Sequence, residues 1–269
     1  MSRVARVVAT IALLVAIVLP LVFALLASLT PERELFRGDR LVAGELTTEH
    51  YRALFTERDF WTPVRNSFVV ATATTILCVT LASACAYALA RLRFRGRRLV
   101  LGAMLAVSMF PQISIVAPLY MVLRRVGLID SYPGLVLPYA TFALPLAVWL
   151  LVGYFRQLPS ELEDAAMVDG ASRLRVLWEI VLPLAAPGIA TTAILTFVYC
   201  WNEFLFALSF TITHDRQTAP VAVALFRGQF QVPWGQILAA TIVSTLPVLV
   251  LVATFQRRIL SGLTAGSVK

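Results

Sequence analysis

Few side chains in this sequence could carry out a reaction, and their spacing argues against most chemistry. The two histidines, His50 and His214, stand 164 positions apart, so no H-E-x-x-H zinc helix exists. The single lysine is Lys269. A Walker A loop needs a lysine directly after its second glycine to reach the phosphates, so the chain is not itself a P-loop ATPase, and a Schiff-base lysine has no candidate. Cys78, Cys85 and Cys200 are odd in number and lie in apolar runs, which indicates neither a disulfide framework nor a thiolate metal cluster. No serine or cysteine in those runs has a histidine or paired-acid partner, which argues against an intramembrane hydrolase. One acid does lie inside an apolar run: Glu203, flanked by Tyr199, Trp201, Asn202 and Phe204. An ionised carboxylate at the centre of a bilayer costs about 2.5 to 3.5 kcal/mol on insertion scales, so Glu203 must face protein or water. Aromatic faces beside amide and carboxylate acceptors suit a sugar, and Gln112 in an earlier run is a further candidate for the same pathway. The alternatives are that Glu203 and Asn202 only pin helices together, or that Glu203 is the ion or proton site of a secondary transporter or channel.

The elements that must position these residues are membrane spans. Of the 269 residues 59% are hydrophobic and 14% charged, against about 25% charged in an ordinary soluble domain. Runs near the ~20 residues needed to cross a bilayer cover 7–29, 66–89, 99–123, 135–155, 189–210 and 237–255. The first is too long for the h-region of a signal peptide and reads as a retained helix. With the N-terminus inside, the inner segments carry 13 of the 23 cationic residues, and the run Arg91, Arg93, Arg95, Arg97, Arg98 is the strongest orienting signal. Both termini are therefore expected in the cytoplasm, and the high pI reads as topology rather than nucleic-acid binding. Ala71, Thr75, Ala82, Ala86 and Ala90 let another backbone approach the second span closely. Pro111, Pro118, Pro138, Pro145 and Pro247 free carbonyls at membrane depth. Between the first two spans, Tyr51, Leu54 and Phe55 after a Thr48 cap predict a short interfacial helix.

The connection 156–188 is the most informative stretch. Ser160 and Glu163 have the spacing of a capping box, so a first short helix should start after Pro159 and stop at Gly170. Ser172 can cap a second helix, in which Leu174, Leu177, Trp178 and Val181 fall on one apolar face before Pro183 and Pro187. Asp169 to Arg173 then form a compact knob. On these residues alone the segment is either a plain amphipathic connector or a docking element.

Asp164-Ala165-Ala166, Asp169-Gly170-Ala171, and Leu182-Pro183 beyond them, resemble the EAA motif of permease subunits in binding-protein-dependent ABC importers; the motif's first glutamate is Asp164 here, with Glu163 beside it. Asn66-Ser67, the stretch 86–98, Met109-Phe110-Pro111, Trp201-Asn202-Glu203-Phe204 and the tail 262–269 are similar to MalG-type permeases of carbohydrate importers, closest in pattern to those of trehalose importers. The resemblance covers essentially the whole chain and implies one all-α permease domain of six transmembrane helices in a bacterial inner membrane. It also implies partners: a second permease subunit, two ATPase subunits that bind ATP and Mg, and an extracytoplasmic sugar-binding protein. No cofactor is expected on this chain. Glu161, Glu163, Asp164, Ala165, Ala166, Asp169, Gly170, Ala171, Ser172 and Arg173 would form the coupling element in an ATPase cleft. The tail residues Gly262, Leu263, Thr264, Ala265 and Gly266 would reach between the ATPases.

Overall fold

The computed structural model describes residues 3–35, 45–226 and 232–265, which form helices and turns with no strand among them. Four helices are long and apolar enough to cross a bilayer: α1 (Arg3–Ser28), α3 (Trp61–Arg91), α6 (Tyr132–Phe155) and α13 (Trp234–Ala265), the last counted to Gln256. The expected third span is not one helix. α4 (Arg97–Ser108) and α5 (Gln112–Arg125) meet at 92°. Pro111 explains the bend, because it lacks an N–H and disfavours helical geometry at Phe110; it stands in extended backbone as the residue before α5. The expected fifth span is also broken: α10 (Ala186–Trp201) stops at residues 202–204 and α11 (Leu205–Phe210) follows. On its other side α10 meets the helical stretch Arg173–Leu184 at 81°, and counting each bent pair as one crossing gives six.

α3 and α6 form the centre. Ala71, Ala82 and Ala86 are fully buried, as their spacing predicts, and the close approach is marked by Cys78 Sγ donating to Ala140 O at 3.8 Å. One half of the core joins Val70, Tyr139, Phe142, Phe197, Phe206 and Phe210; the other joins Leu89, Val148, Leu151 and Phe155 to Val176, Leu177 and Val181 from the 156–188 connection. α10 crosses α6 so tightly that a β-carbon at Gly188 would overlap the Tyr154 ring.

At the other end, α2 (Glu49–Thr56) is the expected short helix, but its apolar stripe is split. Leu54 is buried against Phe60, Ala219 and Ala222, whereas Phe55 is exposed. Thr48 makes no side-chain cap; Thr47 Oγ1 accepts from Glu49 N at 3.1 Å instead. Tyr51 hydroxyl pairs with Ser28 Oγ at 2.6 Å, tying α2 to α1. Long-range polar contacts fasten the irregular segment after α11. Asn66, fully buried in α3, donates through Nδ2 to Asp215 O and Gln217 O, both at 2.9 Å, and accepts from Tyr132 hydroxyl at 2.8 Å. Ser67 Oγ accepts from Ala219 N at 2.8 Å, at the start of α12 (Ala219–Ala224).

Asp130 completes this clasp by accepting from Ile212 N, Thr213 N and Thr213 Oγ1 at 2.7 to 3.1 Å. Burial pushes the Asp130 carboxyl up, but those hydrogen bonds and the nearby Arg216 charge outweigh it and hold it below its ordinary 3.8. A carboxylate with a lowered folded pKa stabilises above its unfolded value and loses that contribution as pH falls through the folded one. Amide exchange at Ile212 and Thr213, corrected for intrinsic rates, should therefore accelerate only below pH 3.8. Protection unchanged down to about pH 2 would show that the carboxylate does not hold this turn.

Candidate functional site

The 156–188 connection builds a rigid seat and an exposed edge. α7 (Glu161–Val168) ends where Gly170 takes φ +86°, the left-handed conformation expected of it, and Ser172 Oγ accepts from Arg175 N at 3.3 Å at the start of α8 (Arg173–Val176). The predicted capping box does not form. Ser160 is itself helical and offers its backbone oxygen, not its side chain, to Glu163 N and Asp164 N. Glu163 turns inward to 5% exposure because a charge partner waits there: its Oε1 lies 2.6 Å from Arg91 Nε of α3, an ion pair without hydrogen-bond alignment. Arg91 Nη2 also donates to Leu158 O at 2.7 Å, so one side chain fastens the end of α3 to both ends of the turn before α7. Arg91 was invisible as a site residue, since nothing local links it to a glutamate so distant in sequence.

The expected apolar face of the second helix is also divided. Val176, Leu177 and Val181 are buried among α3 and α6, while Leu174 is 71% and Trp178 61% exposed. The cause is a π-turn at Leu177–Val181, which breaks the 3.6-residue register on which the expected stripe depended. The helix runs through Pro183 to α9 (Leu182–Leu184) and ends at Ala185, not at the proline. With Val168, 88% exposed, Leu174 and Trp178 leave large apolar side chains uncovered beside the knob. Glu161, Asp164, Ala165, Asp169 and Arg173 are exposed as well, whereas Ala166 and Ala171 pack against the core. Of the tail, Gly262 to Ala265 continue the α13 backbone and Gly266 lies outside the described residues.

The break at residues 202–204 makes the second feature. A cleft of about 450 Å³ is lined by Gln112, Tyr199, Asn202, Glu203 and Phe204, so five of the six pathway candidates converge. Gln112 Nε2 donates to Tyr199 hydroxyl at 2.6 Å across it. Trp201 is the exception: it is buried away from the cleft, stacked on Phe197, with Nε1 donating to Ser244 O at 3.1 Å. A step of one residue along the helix turns its side chain about 100° from that of Asn202. Glu203 lines the cleft but is only 7% exposed, because its carboxylate caps α11, Oε1 accepting from Phe206 N at 2.8 Å and Oε2 from Ala207 N at 3.1 Å. Its acid is thus the local solution to a helix interrupted inside the membrane.

Interrupted spans around a cleft, joined to a rigidly seated knob outside the apolar core, define a membrane permease subunit rather than an enzyme. Residues 76–264 match the family of binding-protein-dependent transport system inner membrane components, and the chain belongs to that family. It is 46% identical over 253 residues to the trehalose transport system permease protein SugB of Mycobacterium tuberculosis, covering 93% of this chain and 92% of that protein. With the trehalose/maltose transport system permease protein MalG of Thermococcus litoralis it shares 39% over 272 residues, 100% of this chain and 98% of the other. The fold is that of a chain in a bacterial ABC transporter involved in alginate import, with a TM-score of 0.79 at 22% identity, covering 96% of this chain and 98% of that one.

The two oxygens of Glu203 make a test that separates capping from ion binding. Glu203→Leu leaves two buried N–H groups unpaired and should destabilise the detergent-purified protein by about 1 to 3 kcal/mol, whereas Glu203→Gln, which keeps an acceptor, should lose much less and still transport. Abolished transport in a Glu203→Gln protein of unchanged thermal stability would make the carboxylate a titrating site instead.

Proposed function

We propose that this chain is one of two permease subunits of an ATP-driven importer that moves a neutral disaccharide of the trehalose or maltose type, delivered by an extracytoplasmic binding protein. Both termini and the 156–188 connection face the cytoplasm, in keeping with the arginine run 91–98. Two ATPase subunits hold the ATP and Mg, and closure of that pair draws the coupling elements together and opens the permease cavity outward by rigid-body movement. The observation that carries this reading is the pairing of opposite faces in one short segment. Val176, Leu177 and Val181 are buried against two spans, while Val168, Leu174 and Trp178 stand exposed for a partner. A push on the outer face therefore reaches α3 and α6 without being absorbed in a hinge. Asp169 to Arg173 are the apex of that element, and the end of α13 is the second ATPase contact. Gln112, Tyr199, Asn202, Glu203 and Phe204 line the sugar path.

The substrate assignment leans on the names of the two relatives and on the chemistry of the cleft, where a phenol, two amides and an aromatic ring offer hydroxyl partners and a stacking face. The rival, an ion-coupled carrier using Glu203, has no comparable support, since both carboxylate oxygens already accept backbone hydrogen bonds.

Gly170→Val tests the coupling. A β-branched residue resists the left-handed conformation at φ +86°, so the knob should distort at a local cost of about 1 to 2 kcal/mol while the spans still insert. Reconstituted complexes with this variant should either shed the ATPases on purification or hydrolyse ATP without response to loaded binding protein, and should lose trehalose and maltose uptake. Retained ATPase with unchanged, ligand-stimulated uptake would overturn the coupling assignment; uptake that needs a proton gradient but no ATP would favour the ion-coupled rival.

A further inference from the structure

We infer that a second cleft, at the end of the bundle that carries the 156–188 connection, holds the phosphodiester head group of an anionic phospholipid. It lies between the last turn of α3, the start of α4 and the end of α6, has a volume of about 530 Å³, and is lined by Leu89, Phe94, Arg97, Arg98, Leu99 and Arg156, among others. Three arginines and no acid line the cleft. None of the three makes an ion pair or side-chain hydrogen bond among the described residues, in contrast to Arg91 of the same run, which has Glu163. Burial, and then the neighbouring Arg97 charge, push the Arg156 guanidinium down from its ordinary value, as expected of like charges brought together without a counterion. An anion between them would relieve that repulsion, and the planar forks of arginine match phosphate oxygens.

The surroundings select a lipid as the source of that phosphate. Leu99 is 77% and Phe94 44% exposed at the rim, so apolar side chains stand where acyl chains would descend from a head group held by the arginines. Each arginine near an anionic membrane surface contributes about fivefold in affinity. This assignment rests on the placement of these helices in a membrane and not on the coupling role of the 156–188 connection, so either can fail alone.

Native mass spectrometry of the intact, detergent-purified complex tests it, with phosphatidylglycerol or phosphatidylcholine of equal chain length added. The wild type should retain phosphatidylglycerol at least fivefold better. Arg97→Gln, Arg98→Gln and Arg156→Gln should each cut that retention about fivefold, while Arg156→Lys keeps most of it. Arg93→Gln is the control: Arg93 belongs to the same run but does not line the cleft, so retention should be unchanged. Equal retention of the two lipids, or variants that hold phosphatidylglycerol like the wild type, would overturn the proposal. So would an equal loss with Arg93→Gln, which means diffuse charge, or displacement of the lipid by millimolar inorganic phosphate, which means a site for a free anion. Retention seen only after the ATPase chains are stripped away would mean that an acidic protein surface fills the cleft, and would overturn it too.

Discussion

A bilayer offers no water to a backbone N–H or C=O, so each place where this chain leaves helical geometry at membrane depth needs a partner from elsewhere in the fold. The chain breaks helix repeatedly, and the partners are specific. Glu203 caps α11, Ser67 supplies the acceptor at the start of α12, Asn66 takes two carbonyls of the segment before it, and Glu32 accepts from Trp234 N and Gly235 N at the start of α13. Each contact also fixes where a broken segment sits relative to a continuous span. The irregular parts are therefore tied to neighbouring helices by hydrogen bonds, including the break at residues 202–204 beside the cleft.

The same logic of fixed attachment governs the 156–188 connection, with different forces. Burying Val176, Leu177 and Val181 contributes about 1.5 to 3 kcal/mol apiece, which outweighs any exposed ion pair such as Arg175 with Glu179. The buried Arg91–Glu163 pair adds less net stability than its proximity suggests, since both charges were taken out of water. Its effect is on register: loss of either partner strands the other charge, so the turn before α7 has one acceptable position against α3. The connector is thus fastened to the spans by both packing and charge.

Sequence made the continuous spans legible because length and apolarity are sufficient evidence for them, and α1, α3, α6 and α13 follow the expected runs. Gly170 and Ser172 were equally legible, since a left-handed helix end and a hydroxyl cap are local chemistry. The failures share one cause, a partner distant in sequence. Ser160 and Glu163 have capping-box spacing, but Arg91 takes the glutamate. Glu203 lines the cleft as its neighbours suggest, but its second task, capping a helix that composition merges with its predecessor, had no sequence signal. Trp201 was grouped with Asn202 by adjacency, although successive helical residues point about 100° apart. The split of Leu174 and Trp178 from Leu177 and Val181 needed a π-turn that no composition announces. Pro111 carries the signal for the bend between α4 and α5, but a proline announces a kink and not its size, here 92°.

In the proposed importer the exposed edge of the 156–188 connection is covered by an ATPase. Photo-cross-linking from a benzoylphenylalanine placed at Leu174, in the complex assembled in its own membrane, addresses it directly. The cross-linker should capture an ATPase chain covalently, with a yield that changes when ATP is added. Capture of lipid or of the second permease alone, unaffected by nucleotide, would contradict it.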